Sequence, residues 1–299
     1  MKYTILITAL FLSFSSFAQP KISFSFDDGS LGDRPAYPLK KWNTMLLDKM
    51  DSAQVKSIFF VAGRGKTNKK GRYLLKSWDE KGHLIANHTY SHPNYSKSDI
   101  KFEDFSKEIL KNDSIIRNYS NYVKLFRFPY LKEGNTEKKV NAIRKFLKEN
   151  AYKNGYVTID ASDWYIDSRL LKRLRKDPSA DISAYRDYYL NHLWEKAQYY
   201  EKLSFAINGR HINHTLLLHH NLAAALFIDD LIEMFKAKGW RITSAKEAYT
   251  DPIYKKTPVY AGESLIYALV RDSKKFDHLL RFPPEDSQYE RKKMDSLGL

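Results

Sequence analysis

Two aspartates stand side by side at the end of the stretch Ile22-Ser-Phe-Ser-Phe-Asp27-Asp28-Gly29. Adjacent carboxylates at the tip of an apolar alternation raise at least one pKa, so the pair calls for a cation. His88 and His92 are four residues apart, and on one turn of helix both imidazoles would point the same way and bind one metal ion. Together with one carboxylate they form a common catalytic ligand set that leaves positions open for water and substrate. The two aspartates can then divide the work, one ligating the metal and the other taking a proton from water. Arg127 is the cation expected to hold the free aspartate ionised and correctly turned. Asp163, next to Trp164, is read as a carboxylate that orients a histidine, with His219 as general acid for the leaving group. Asp160 is read as a loop cap, and Trp164 either as one wall of a substrate slot or as core packing.

These residues sit at the ends of short β-rich runs. Strands are expected at 22–26, 57–61, 84–87, 123–126, 156–159, 215–218 and 240–243. Helical spacing of apolar residues covers 38–52, 99–120, 136–149 and 222–238, the last closed by Gly239. Alternating strands and helices predict an α/β fold with a parallel sheet, and seven or so such units predict a (β/α) barrel whose chemistry lies on the loops after the strands. The alternative is an open doubly wound sheet; no Gly-rich phosphate loop follows the first strand, which weakens its nucleotide-binding form.

The 299 residues, 43% of them hydrophobic, can bury a large core. Residues 1–18 (MKYTILITALFLSFSSFA) have the lysine, short apolar run and small-residue end of a cleaved signal peptide, too short to span a bilayer comfortably. The expectation is export to the periplasm or beyond, with a mature chain from about Gln19 and no transmembrane segment once the signal is removed. The absence of cysteine excludes disulfides and thiolate ligands. The net charge of +15, with clusters at Arg64–Arg72 and Arg169–Lys176, would attract anionic polymers, which for an exported protein means cell-wall or envelope polysaccharide rather than nucleic acid; a solvated lysine-rich surface is the equal alternative.

The segments SFDDG, HTYSH, RFPY, DASDW and LLLH, in this order, resemble the five motifs of the polysaccharide deacetylases, the NodB-homology domain of carbohydrate esterase family 4. The resemblance runs from about residue 21 to about 250. It implies a distorted (β/α)7 barrel and hydrolysis of acetyl groups from N-acetylated sugars or acetylated xylan with one divalent metal ion, usually zinc, sometimes cobalt or nickel. It implies Asp27 as base, Asp28, His88 and His92 as metal ligands, Arg127 as partner of the base, and Asp163 as partner of the acid. Tyr130 resembles the residue whose backbone N–H steadies the oxyanion. Ser25 replaces the usual Thr, and His220 follows His219 where Asp is common; a strict L-x-L-x-H would fit His220, but His219 is preferred. The 55 residues from Trp164 to His219 make a long insertion between the fifth and sixth strands, and 251–299 is a C-terminal extension expected to wrap on the 19–250 barrel.

Three competing readings keep the same residues. One is a hydrolase of another C–N bond or of a formyl group. Another is an iron(II) oxygenase, whose facial triad is also two histidines and a carboxylate. The third is a glycan-binding protein of this fold without turnover.

Overall fold

The computed structural model describes residues 19–299; the expected signal peptide lies outside them. The barrel is built from β1 (Lys21–Asp28), α1 (Leu39–Ser52), β2 (Ile58–Val61), α2 (Lys69–Glu80), β3 (Leu84–Asn87), α3 (Phe102–Ile116), β4 (Tyr122–Phe126), α4 (Glu137–Glu149) and β5 (Lys153–Asn154). It continues through α5 (Asp163–Lys176), α6 (Ser183–Asn208), β6 (Asn213–His219), α7 (Leu222–Ala237), β7 (Arg241–Ile242) and α8 (Ala245–Ala248). Beyond it lie α9 (Leu265–Ser273) and α10 (Ser287–Ser296).

All pairings between named strands are parallel, in the order β5-β4-β3-β2-β1-β6, with β7 on the start of β1. The curled sheet and its helices are the distorted (β/α) barrel that the sequence predicts. Strand five differs from its expected place. The run 156–159 forms no ladder; the strand is Lys153–Asn154 on β4, and Ile159 then makes an isolated parallel bridge to Leu216 of β6. One segment therefore touches both edges of the sheet: Gly155 N–H donates to Phe126 O, and Thr158 and Ile159 N–H to Thr215 O. The apolar, β-branched residues of 156–159 read as strand, but the pairing with β4 is made two residues earlier, by polar ones.

Alternation along the strands sorts the two layers. Ile22, Phe24 and Phe26 of β1 face outward into the core shared with α1 and α7, where Trp42, Leu46, Ile228 and Phe235 are fully buried. Ile58, Phe60 and Ala86 face the barrel interior, closed from below by Ala245 of α8. Asp27, His88 and Arg127 continue the inward alternation of Ser25, Ala86 and Leu125, so the strand period alone aims them at the mouth.

The insertion is mainly α6, 26 residues long, buried along Tyr189, Leu193, Ala197 and Tyr200. The tail contributes Leu265, Ile266, Tyr267, Val270 and Met294 to the same core. Among the described residues, no helix is long and apolar enough to cross a membrane.

Candidate active site

Asp27 and Asp28 are the last two residues of β1, and they leave it in different directions. Asp27 keeps the inward alternation and is 3% exposed. Asp28 follows an outward position but has φ 73, and this left-handed turn returns its carboxylate to the mouth. Gly29 continues the turn at φ 77, where a Cβ would lie 2.8 Å from Trp78, so no larger residue fits.

Asp28 Oδ1 lies 3.4 Å from His92 Nε2 and 3.7 Å from His88 Nε2. A tetrahedral ion bonded at about 2.1 Å spaces its ligands by about 3.4 Å, so both carboxylate–imidazole separations are close to those such an ion needs. Two further features fit a cation. Asp28 Oδ1 is buried with no hydrogen-bond donor. His88 Nδ1 lies 2.8 Å from Arg127 O, which assigns its proton to that nitrogen and leaves Nε2 as a free donor of electrons. Burial alone would raise Asp28, but His219, His88, His92 and Lys66 together hold its carboxyl below the usual range. Burial and the neighbouring His88 bring His92 down to about 4, so it is neutral and able to ligate.

The two histidines converge without a helix. Residues 88–92 are a loop in which Thr89 has φ 65 and His92 φ 62, and the i,i+4 helical reading of HTYSH is corrected here. The loop is tied by Thr89 N–H to Asn87 Oδ1 and by His92 N–H to Thr89 Oγ1. Side-chain-to-backbone bonds of this kind compete with helix at polar sequences.

Arg127, 1% exposed, donates from Nη1 to Asp27 Oδ1 at 2.5 Å and to Ser25 Oγ at 3.0 Å. Its Nε donates to Gly155 O at 2.9 Å and its Nη2 to Tyr249 Oη at 3.1 Å, while the guanidinium lies 3.8 Å from the centre of the Phe60 ring. Gly155 is required for this approach, since a Cβ there would meet Phe60 at 2.4 Å. The buried pair is thus fixed from four sides, as a desolvated charge must be.

Across the mouth, His219 is the cross-strand neighbour of Asp27 in the β1–β6 ladder. Its Nδ1 is 2.7 Å from Asp163 Oδ1, and Asp163 Oδ2 accepts from His219 N–H at 2.8 Å and from Asn221 Nδ2 at 3.0 Å. Burial opposes the imidazolium, but Asp163, with Asp28 and Asp27 behind it, raises His219 to about 10. His220 turns the other way, to Asn43 Oδ1 at 3.0 Å and between Trp42 and Trp78, where burial keeps it neutral. Asp160 accepts from Ala161 N–H, a local loop bond, and burial holds it well above the carboxylate range.

Tyr130 and Trp164 are among the few large apolar side chains left exposed, at 59% and 43%. The exposure of Trp164 removes its alternative reading as core packing. Tyr130, at φ 57, leans over His92 with ring centres 4.6 Å apart.

Several contributors escape sequence reasoning. Tyr249 and Gly155 hold Arg127, and Ser162 is held by groups far away in sequence. Lys66 belongs by sequence to the basic cluster, yet it is 3% exposed beside Gly29, and burial lowers it to about 8 despite the opposing pull of Asp28. Arg64, Lys69, Lys70 and Arg72 of that cluster do face solvent.

Residues 15–151 match the family model described as polysaccharide deacetylase. A peptidoglycan-N-acetylglucosamine deacetylase from Bacillus cereus is 32% identical over 111 residues, 37% of this chain. The match spans only 36% of that relative's length. Among solved structures, a chitin deacetylase from Colletotrichum lindemuthianum aligns with a TM-score of 0.53 at 18% identity, over 78% of this chain and 88% of its own. A family 4 pseudoenzyme from Bacillus anthracis aligns equally well, with a TM-score of 0.53 at 17% identity over 77% and 65%. At these identities the structural likenesses establish the fold. The family model over residues 15–151 and the motifs at their strand ends make this chain similar to the polysaccharide deacetylases.

Proposed function

We propose that this chain is an exported, divalent-metal-dependent hydrolase that removes acetyl groups from an N- or O-acetylated polysaccharide of the peptidoglycan, chitin or xylan type. The observation that carries the reading is the pairing of two hydrogen-bonded dyads, Asp27–Arg127 and Asp163–His219, on either side of Asp28, His88 and His92. An oxygenase needs the triad alone; a hydrolase needs a base and an acid flanking it.

Asp28, His88 and His92 would hold the ion, zinc first and cobalt or nickel as alternatives. When bound, it supplies Lewis acidity that acidifies water and polarises the acetyl carbonyl. Asp27 accepts the proton of the attacking water, with Arg127 keeping its carboxylate aimed. The Tyr130 N–H offers a donor to the developing oxyanion. His219, charged and oriented by Asp163, gives its proton to the departing amine or alcohol, and acetate leaves. Tyr130 and Trp164 flank the mouth as apolar faces against which a sugar ring can lie. The exposed lysines and arginines supply attraction to an anionic wall polymer. Residues 19–250 carry the chemistry and 251–299 pack on them.

The test is acetate release by residues 19–299 from peptidoglycan, chitooligosaccharides and acetylated xylan after loading with zinc, cobalt or nickel. Release abolished by Asp27→Asn supports the reading and names the glycan class. Sugar binding without release, in protein that holds metal, would make the chain a binding protein of this fold instead.

A further inference from the structure

Besides the expected metal ligands, one other acid–imidazole trio comes together among the described residues: His192, Glu285 and Glu290. Its atoms already have partners. Glu285 Oε1 is 2.6 Å from Lys196 Nζ and 3.1 Å from Arg281 Nη2. His192 Nδ1 is 3.2 Å from Glu290 Oε2, which also accepts from Tyr188 Oη at 2.6 Å. A cation site would not hold two resident cations against one carboxylate. What the trio does hold is Ser162.

Ser162, fully buried, precedes Asp163 at the start of α5 and makes no side-chain cap bond to its own helix. Its N–H donates to His192 Nε2 at 3.0 Å and its hydroxyl to Glu285 Oε2 at 3.0 Å. Because His192 accepts at Nε2, its proton sits on Nδ1 and is given to Glu290, so Glu290 fixes the tautomer that Ser162 needs. Both donors of the residue next to Asp163 thus end on groups from the insertion and the tail, while the Asp163 carboxylate faces His219 from the same turn of chain.

We infer that Glu285 of the tail, acting with His192 of α6, is a positioning residue: by holding Ser162 it sets the direction in which Asp163 meets His219. The kinetic consequence rests on the deacetylase reading; the positioning does not. A loop carrying an acid's partner loses rate steeply when misplaced by about 1 Å.

The experiment compares Glu285→Gln with Lys293→Ala in the full chain; Lys293 belongs to the same tail but pairs on the surface with Glu195. The first readout needs no turnover: the proton resonance of His219 Nδ1–H, downfield because it is given to Asp163. It should move in Glu285→Gln and stay in Lys293→Ala. The second is kinetic, on a glycan the unaltered chain deacetylates: kcat should fall about tenfold or more with KM little changed, and the effect should vanish when Asp163→Asn is already present. If Glu285→Gln does not fold, Ser162→Ala carries the same readouts. An unmoved resonance in folded variant, or the same movement in Lys293→Ala, overturns the inference. An unaltered chain that releases no acetate overturns the deacetylase reading while the resonance still decides this one.

Discussion

The two halves of the mouth are held by different parts of the molecule. Asp27 is fixed by Arg127, and Arg127 by Ser25, Gly155 and Tyr249, all within the barrel and its closing turn. Asp163 is fixed on His219 by a loop whose preceding residue is bonded to α6 and to the tail. The proposed base is therefore a property of the barrel, whereas the proposed acid depends on segments added to it. Damage to the barrel should cost stability and activity together, and loss of the Ser162 contacts in particular should reach the acid half.

The sharpest way to separate the halves begins with the base. Asp27→Asn should lower kcat by about 10²–10⁴-fold, the scale of general-base catalysis, with bound metal unchanged on elemental analysis. Arg127→Met removes one partner of a buried pair, and urea unfolding should show a loss of about 3–5 kcal/mol. That loss should be partly recovered in Arg127→Met/Asp27→Asn, because the stranded charge is then gone.

The acid half responds to pH through the tail. Burial would raise Glu290, but His192, Tyr188 and Lys196 hold it at about 2, against 4.5 when unperturbed. A depressed carboxyl contributes stability that is complete above its unfolded value and is lost as pH falls through its folded one. The tail should therefore loosen between about pH 4.5 and pH 2, read as faster proteolysis within 251–299, and Glu290→Gln should flatten that dependence. Lys293→Ala, which breaks an exposed pair, should change stability by less than about 1 kcal/mol. A large effect there would erase the distinction between latch and surface contact.

The same division governs what the sequence makes legible. Asp27, His88 and Arg127 are readable because strand alternation carries them to one rim, and paired aspartates after an apolar run are rare enough to stand out. The chain order of the strands is readable for the same reason. Strand five is not, because its ladder is made by Lys153 and Asn154, which carry no apolar signal. The geometry of His88 and His92 is not, because left-handed Thr89 and His92 imitate a helical approach without a helix. Ser162 and Glu285 lie 123 residues apart, and no local pattern joins them.

The divided fifth strand has a consequence for motion. Its few bonds to either edge make it the thinnest part of the barrel wall, so local opening should begin there rather than along the seven-residue β1–β6 register. Leu265 N–H of the tail donates to Val157 O within that gap at 2.8 Å. The tail thus bears on breathing as well as on placement: with it in place, the amides of Thr158 and Ile159 should exchange with solvent more slowly than without it.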